Sequence, residues 1–167
     1  MKRVSLMAVV VVGLIAVSSW AGSPATGTWL PVVKFSGAIT DYNGLVTPVT
    51  VPTNGLEVWF AEEDTTGEAA VGLVEISGTT TNELMLGAAS VVHKTHTLVG
   101  MTDGAFTPTG WTTNFECMLE WVGKEGGSKS NGSPTTLNVK LSGLGTTNDT
   151  VYSAFTGTLL AKTPKSR

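Results

Sequence analysis

The 167-residue chain holds one cysteine, Cys117, and its only two arginines are Arg3 and Arg167. A single cysteine excludes an intramolecular disulfide, so the fold must be stable through its core alone. Charged residues are only 14% of the chain, against 41% hydrophobic. That balance argues against disorder, because enough apolar surface exists to offset chain entropy. Loss of Lys2 and Arg3 would leave eight basic residues against 13 acidic ones, a net charge of −5. Such a chain offers no basic patch to displace counterions from phosphates, so nucleic acid is excluded as a partner. What is abundant points to strands. Threonine is roughly one residue in six and suits a pleated surface, and the 20 glycines suit turns and bulges.

The first 21 residues have the three-part form of a secretory signal. Lys2 and Arg3 open it, Val4–Val17 is nearly all apolar, and Ser19 and Ala21 are the small residues before a cleavage site. The apolar run falls short of the roughly 20 residues that span a bilayer. The expected organisation is a signal peptide over 1–21, a flexible lead-in over 22–27, one β domain over 28–163 and a tail over 164–167. The mature chain is expected to be exported, periplasmic or extracellular, and to contain no integral membrane span.

The clearest strand is Trp111–Val122. Trp111, Phe115, Cys117, Leu119 and Trp121 share one parity, and Thr112, Asn114, Glu116 and Glu120 the other. Period-two alternation reads as one dry and one wet face. Cys117 is then a small buried hydrophobe. Trp29–Tyr42 reads as a long first strand with Trp29, Val33, Phe35 and Ile39 inward, and Gly37 as a bulge or a close backbone approach. Asn43-Gly44 is a hairpin turn. Leu45–Thr53 carries Pro48 and Pro52, so it is an edge strand or an extended loop.

Leu56–Glu63 and Glu68–Ser77 form a hairpin around Thr65-Thr66-Gly67. The second of these is apolar on both faces, which calls for cover from a loop, a helix, a second sheet or a partner. Gly78–Asn82 is a polar break. Leu84–Ser90 fits a strand or a short helix, Val91–Val99 a strand, and Gly100–Gly110 a loop. Gly123–Pro134 reads as a surface loop and Gly143–Asp149 as a turn. The last three strands form a meander, with Lys140 on the wet side near Glu116 and Glu120. Seven to nine strands are expected. The fold class is therefore all-β, an antiparallel up-and-down barrel of about 8 strands closed by its first and last, with a two-sheet β-sandwich as the alternative.

Gly27-Thr28-Trp29 resembles the Gly-x-Trp that opens lipocalin barrels. The likeness covers three residues. Thr40-Asp41-Tyr42 lies too early for that family's downstream Thr-Asp-Tyr, and no internal arginine is available to pack over the tryptophan. The chain is not assigned to the family on these residues.

Catalytic patterns are sparse. His93 and His96 are the candidate metal ligands, but on a strand they point to opposite faces. Glu116 and Glu120 lie about 13 Å apart at strand rise, too far for paired-carboxylate chemistry. No serine occupies a nucleophile elbow, and Gly126-Gly127 lacks the rest of a phosphate loop. The reading leans away from an enzyme and implies no cofactor. The candidate binding residues are aromatic. Trp29 and Trp121 fall on inner faces, where they fill a lumen or line a cavity. Trp59 and Tyr42 have the opposite parity and suit a contact surface. The expected function is an exported β-barrel binding module for a small apolar ligand or a protein partner. A structural subunit using 68–77 as its interface is the alternative, and a small secreted enzyme or an outer-membrane barrel stands further back.

Overall fold

A computed structural model describes residues 28–62, 68–92, 94–127, 134–147 and 151–163. The signal, the lead-in, the tail, His93 and the Thr65-Thr66-Gly67 turn lie outside them. Among the described residues nine strands follow in order: β1 Thr28–Thr40, β2 Val46–Thr50, β3 Leu56–Glu62, β4 Glu68–Ser77, β5 Thr80–Val92, β6 Thr97–Phe106, β7 Phe115–Gly126, β8 Thr136–Thr147 and β9 Val151–Lys162. All pairings are antiparallel. β1 pairs with β9, and eight strands close into a barrel with β2 outside the ring. Closure excludes the sandwich.

β1 is long enough to serve three partners. On one side it runs along β9 from Val32 to Thr40. On the other, Thr28–Pro31 pairs with β3 and Ser36–Thr40 pairs with β2. Following the register once around, from Trp29 through Trp59, Gly72, Leu86, Asp103, Met118, Leu144 and Ala154, returns to β1 at Thr40. The offset is 11 residues (40 minus 29), one of them the extra residue of a bulge at Val33. Stagger of this kind is what closing a ring of tilted strands requires.

The Val33 bulge corrects the inward reading of Trp29. Leu30 and Val32 point in before it, and Phe35 and Ile39 point in after it. Trp29 and Val33 therefore lie on the outer side, with Val33 51% exposed. A bulge adds one residue and so reverses which face an alternating strand presents.

The interior is filled. Val58, Val71, Leu73, Leu98, Phe115, Leu119, Trp121, Val139, Phe155 and Leu159 expose essentially nothing. Toward the end where β6 leaves, Phe35, Phe106, Phe115 and Phe155 form a cluster with ring centroids 5.0 to 6.2 Å apart. Glycines make room for it. Gly37 and Gly157 face each other across β1 and β9. A Cβ at Gly157 would meet the Phe155 ring at 2.5 Å, and one at Gly37 would meet it at 2.7 Å. The close-approach reading of Gly37 thus holds. The reason is a ring laid over bare backbone.

Several glycine-rich stretches are strand, not loop. Residues 100–106 belong to β6, 123–126 to β7 and 143–147 to β8. Leu84–Ser90 and the residues either side form β5, and no helix interrupts it. The break after Ser77 is only the two-residue turn Gly78-Thr79. Conversely β7 starts at Phe115, and Trp111 sits in the β6–β7 connection, packed against the core edge. Register places Lys140 opposite Val122, while Glu120 accepts a 3.3 Å hydrogen bond from Ser142 Oγ.

β2 folds across the mouth beside the phenylalanines. Val49 and Val51 are buried, Val51 N donates to Phe35 O, and Thr109 N donates to Thr50 O. Alternation then turns the backbone groups of Val46, Pro48 and Thr50 away from β1. Pro48 brings no N–H to that edge, and the Thr50 carbonyl is already taken, so strand addition there is blocked. The β1–β2 turn is held by Asp41, whose Oδ1 accepts from Asn43 N at 2.8 Å and Leu45 N at 2.9 Å, with Gly44 at φ 82°.

Two substitutions test this packing by urea denaturation. Phe155→Ala is expected to cost about 3–5 kcal/mol, since it empties the centre of the ring cluster. Gly157→Ala is expected to cost about 1–3 kcal/mol by overpacking the same point. A neutral result for either would place Phe155 elsewhere.

Candidate functional site

Each aromatic candidate has a definite place in the barrel. Trp121 is fully buried, and its Nε1 donates to Thr102 Oγ1 at 2.7 Å. Thr102 is itself buried, so this pair satisfies itself inside the core. Trp121 belongs to the filling.

Trp29 and Trp59 are cross-strand partners on β1 and β3, half-buried on the outer side. Trp59 was expected there, and Trp29 joins it through the bulge. Trp59 also pairs with Gly72 on β4, which pairs in turn with Leu86 on β5. A Cβ at Gly72 would lie 3.4 Å from Leu86 Cδ1 and 3.6 Å from Trp59 Cε3. The outward face of β4 is therefore covered at this point by side chains of its own sheet, and no separate layer is needed. Val74, also outward and 4% exposed, lies outside the core cluster. Among the described residues Trp59 Nε1 is a buried donor with no acceptor.

Tyr42 is 77% exposed at the tip of the β1–β2 turn. It stands at the opposite end of β1 from Trp29, about 40 Å away along the strand at its rise per residue. These two aromatics cannot form one compact site. Exposed apolar groups continue across the outside on β6, β7 and β8: Val99, Met101, Met118, Val122 and Leu144. Sequence alternation marked β7 and β8 but not β6, because Gly100 and Gly104 disguised it.

His96 lies in the β5–β6 turn with φ 51°, not on a strand as expected. Its Nδ1 is 3.2 Å from Glu125 Oε1, and its carbonyl accepts from Glu125 N. His93 lies outside the described residues, among which no group of three or more metal-ligating side chains gathers.

A cleft of about 160 Å³ opens at the mouth covered by β2. Its walls come from the β2–β3 link, the end of β4, the start of β5 and the end of β6. A second, shallower groove crosses the outside of β6–β8 over Asp103, Glu116, Met118 and Leu144.

Compared with family models, curated proteins and solved structures, the chain matches none.

Cys117 faces the core, 5% exposed. Burial, and secondarily the Asp103 carboxylate, pushes its thiol up to about 12 from 9.0. A protonated, covered thiol is a poor nucleophile. The folded state holds this proton more tightly than the unfolded chain does. Its contribution to stability is therefore full below about 9 and is lost as pH rises toward 12. The expected outcome at pH 8 is negligible alkylation of the native protein by iodoacetamide and rapid labelling in urea, read by mass spectrometry. Rapid labelling without urea would place the thiol at the surface.

Proposed function

We propose that the protein is an exported, non-enzymatic β-barrel module that binds a protein partner through the outside of its wall. Export rests on Lys2-Arg3, the apolar Val4–Val17 run and the small residues Ser19 and Ala21. The observation that carries the binding reading is the placement of the aromatics. The lumen is packed with side chains, whereas Trp29 and Trp59 stand together outside. Tryptophan is among the residues most enriched at interfaces and in their energetic hot spots. A small apolar ligand in the lumen has less support, because Trp121 and the phenylalanines already occupy it.

The outer-membrane alternative has little support. Such barrels are apolar outside and polar within. Here the inside is apolar, and Asp103, Glu116, Glu120, Lys124 and Lys140 are exposed outside. The structural-subunit alternative relied on an uncovered β4, and Trp59 and Leu86 lie over part of that strand.

The test is native mass spectrometry of the mature chain taken from its own compartment, beside the Trp29→Ala variant. The expected species is a complex with a different protein. In the variant its affinity should fall by about 30-fold, as for a tryptophan anchor of about 2 kcal/mol. Circular dichroism should show the variant folded. A bare higher oligomer would replace this reading with self-assembly, and a monomer carrying small-molecule mass would replace it with ligand carriage.

A further inference from the structure

The mouth cleft carries an exposed carboxylate, Glu75, with no cation of the described residues beside it. Glu75 lies near the end of β4, on the same inward parity as Val71 and Leu73. Its register neighbours are Leu56 on β3 and Asn82 on β5, neither of them cationic. Among the described residues no hydrogen bond or ion pair engages its carboxylate. The walls around it are mixed: Val51, Leu56, Leu84 and Phe106 give the apolar side, and Asn54, Thr107 and Asn114 the polar rim.

Local structure has been bent to build one of those walls. Between Leu73 and Val74 the β4–β5 register slips by one, and Leu84 is the additional residue on β5. The bulge turns Leu84 toward the core edge, where it packs half-buried. Gly104 on β6 accommodates it, with φ 156°. Bulges gather where a strand must re-aim a side chain toward a site. The opposite rim is fixed by Thr107 Oγ1 donating to Asn114 Oδ1 at 2.6 Å.

We propose that this cleft binds a small organic cation, a primary alkylammonium with a short apolar stem. The ammonium sits on the Glu75 carboxylate, and the stem lies against Leu56, Leu84 and Phe106. The chemistry follows from the walls. An unpaired carboxylate beside apolar surface rewards a ligand that has one positive end and one greasy end. Leu84, only half-buried, offers the stem its accessible apolar surface, with Leu56 and the edge of the phenylalanine cluster behind it. A cleft of about 160 Å³ admits a stem of only a few carbons. This site is distinct from the tryptophan pair, which lies on the outer face of the wall, whereas Leu56 and Glu75 have the inward parity.

The test is an NMR titration of the isotope-labelled mature protein with n-butylammonium, in parallel with neutral n-butanol and anionic butyrate. The expected result is saturable shifts at the amides around Leu56, Leu84 and Phe106 with butylammonium alone. The affinity should weaken as salt is raised, since a partly exposed ion pair is screened. In Glu75→Gln it should fall by about two- to fivefold, as for loss of one exposed charge pair. The variant should unfold at the wild-type temperature, because Glu75 is exposed. Equal affinity in Glu75→Gln, an equal response to butanol, or shifts confined to other parts of the barrel would each overturn the proposal.

Discussion

The pairing of β1 with β9 is the constraint on which the rest of the molecule depends. A sheet of eight twisted strands has two edges, each with a row of unpaired backbone groups. Joining them removes both edges and encloses a single interior. β1 can do this only because it is longer than any one neighbour requires. Its first residues hold β3, its last residues hold β2, and its other side holds β9. The extra residue at Val33 is part of the same solution. It lets one strand turn Leu30 and Val32 inward at one end and Phe35 and Ile39 inward at the other.

Within that ring the core is built from rings over glycine. Gly37 and Gly157 leave a hollow for Phe155, and a Cβ at Gly145 would meet the Phe115 ring at 2.6 Å. This arrangement explains how a chain with few aromatics and no disulfide fills a barrel. Phe155 and Phe115 reach the backbone of the wall as well as their fellow rings. The arrangement also leaves no interior room for cargo among these side chains, which moves the question of binding to the outer face and the mouth.

The same glycines decide what was legible in the amino-acid order. Strands with alternating apolar and polar side chains, such as 115–122, 137–142 and the β3–β4 pair, were readable because alternation is a local signal. The closing role of the first and last strands followed from their length. Residues 100–106 of β6 read as a loop because Gly100 and Gly104 look locally like turn residues. They are there for neighbours on β5: a Cβ at Gly100 would meet Ala89, and one at Gly104 would meet Met85. Those contacts are distant in the chain and leave no local trace. Trp111 shared the parity of β7 by coincidence, while its N–H closes a turn on the Pro108 carbonyl. Trp29 was misplaced by a bulge that no pattern announces. Trp59 and Tyr42 are outward as their parity implies, whereas the cleft beside Glu75 was invisible, because its walls come from segments distant in the chain.

Closure also sets a kinetic order. The barrel cannot form from its first eight strands, since β1 and β8 lack the strand that lies between them. Every partial chain ending before β9 has two unsatisfied edges and an open apolar trough. Local hairpins can form early, but the ring-over-glycine core at Phe155 exists only after the ninth strand has arrived. The β1–β9 pairing joins strands more than 100 residues apart and carries a correspondingly large loop-closure cost. A chain of this design cannot complete its core until its last strand has been made.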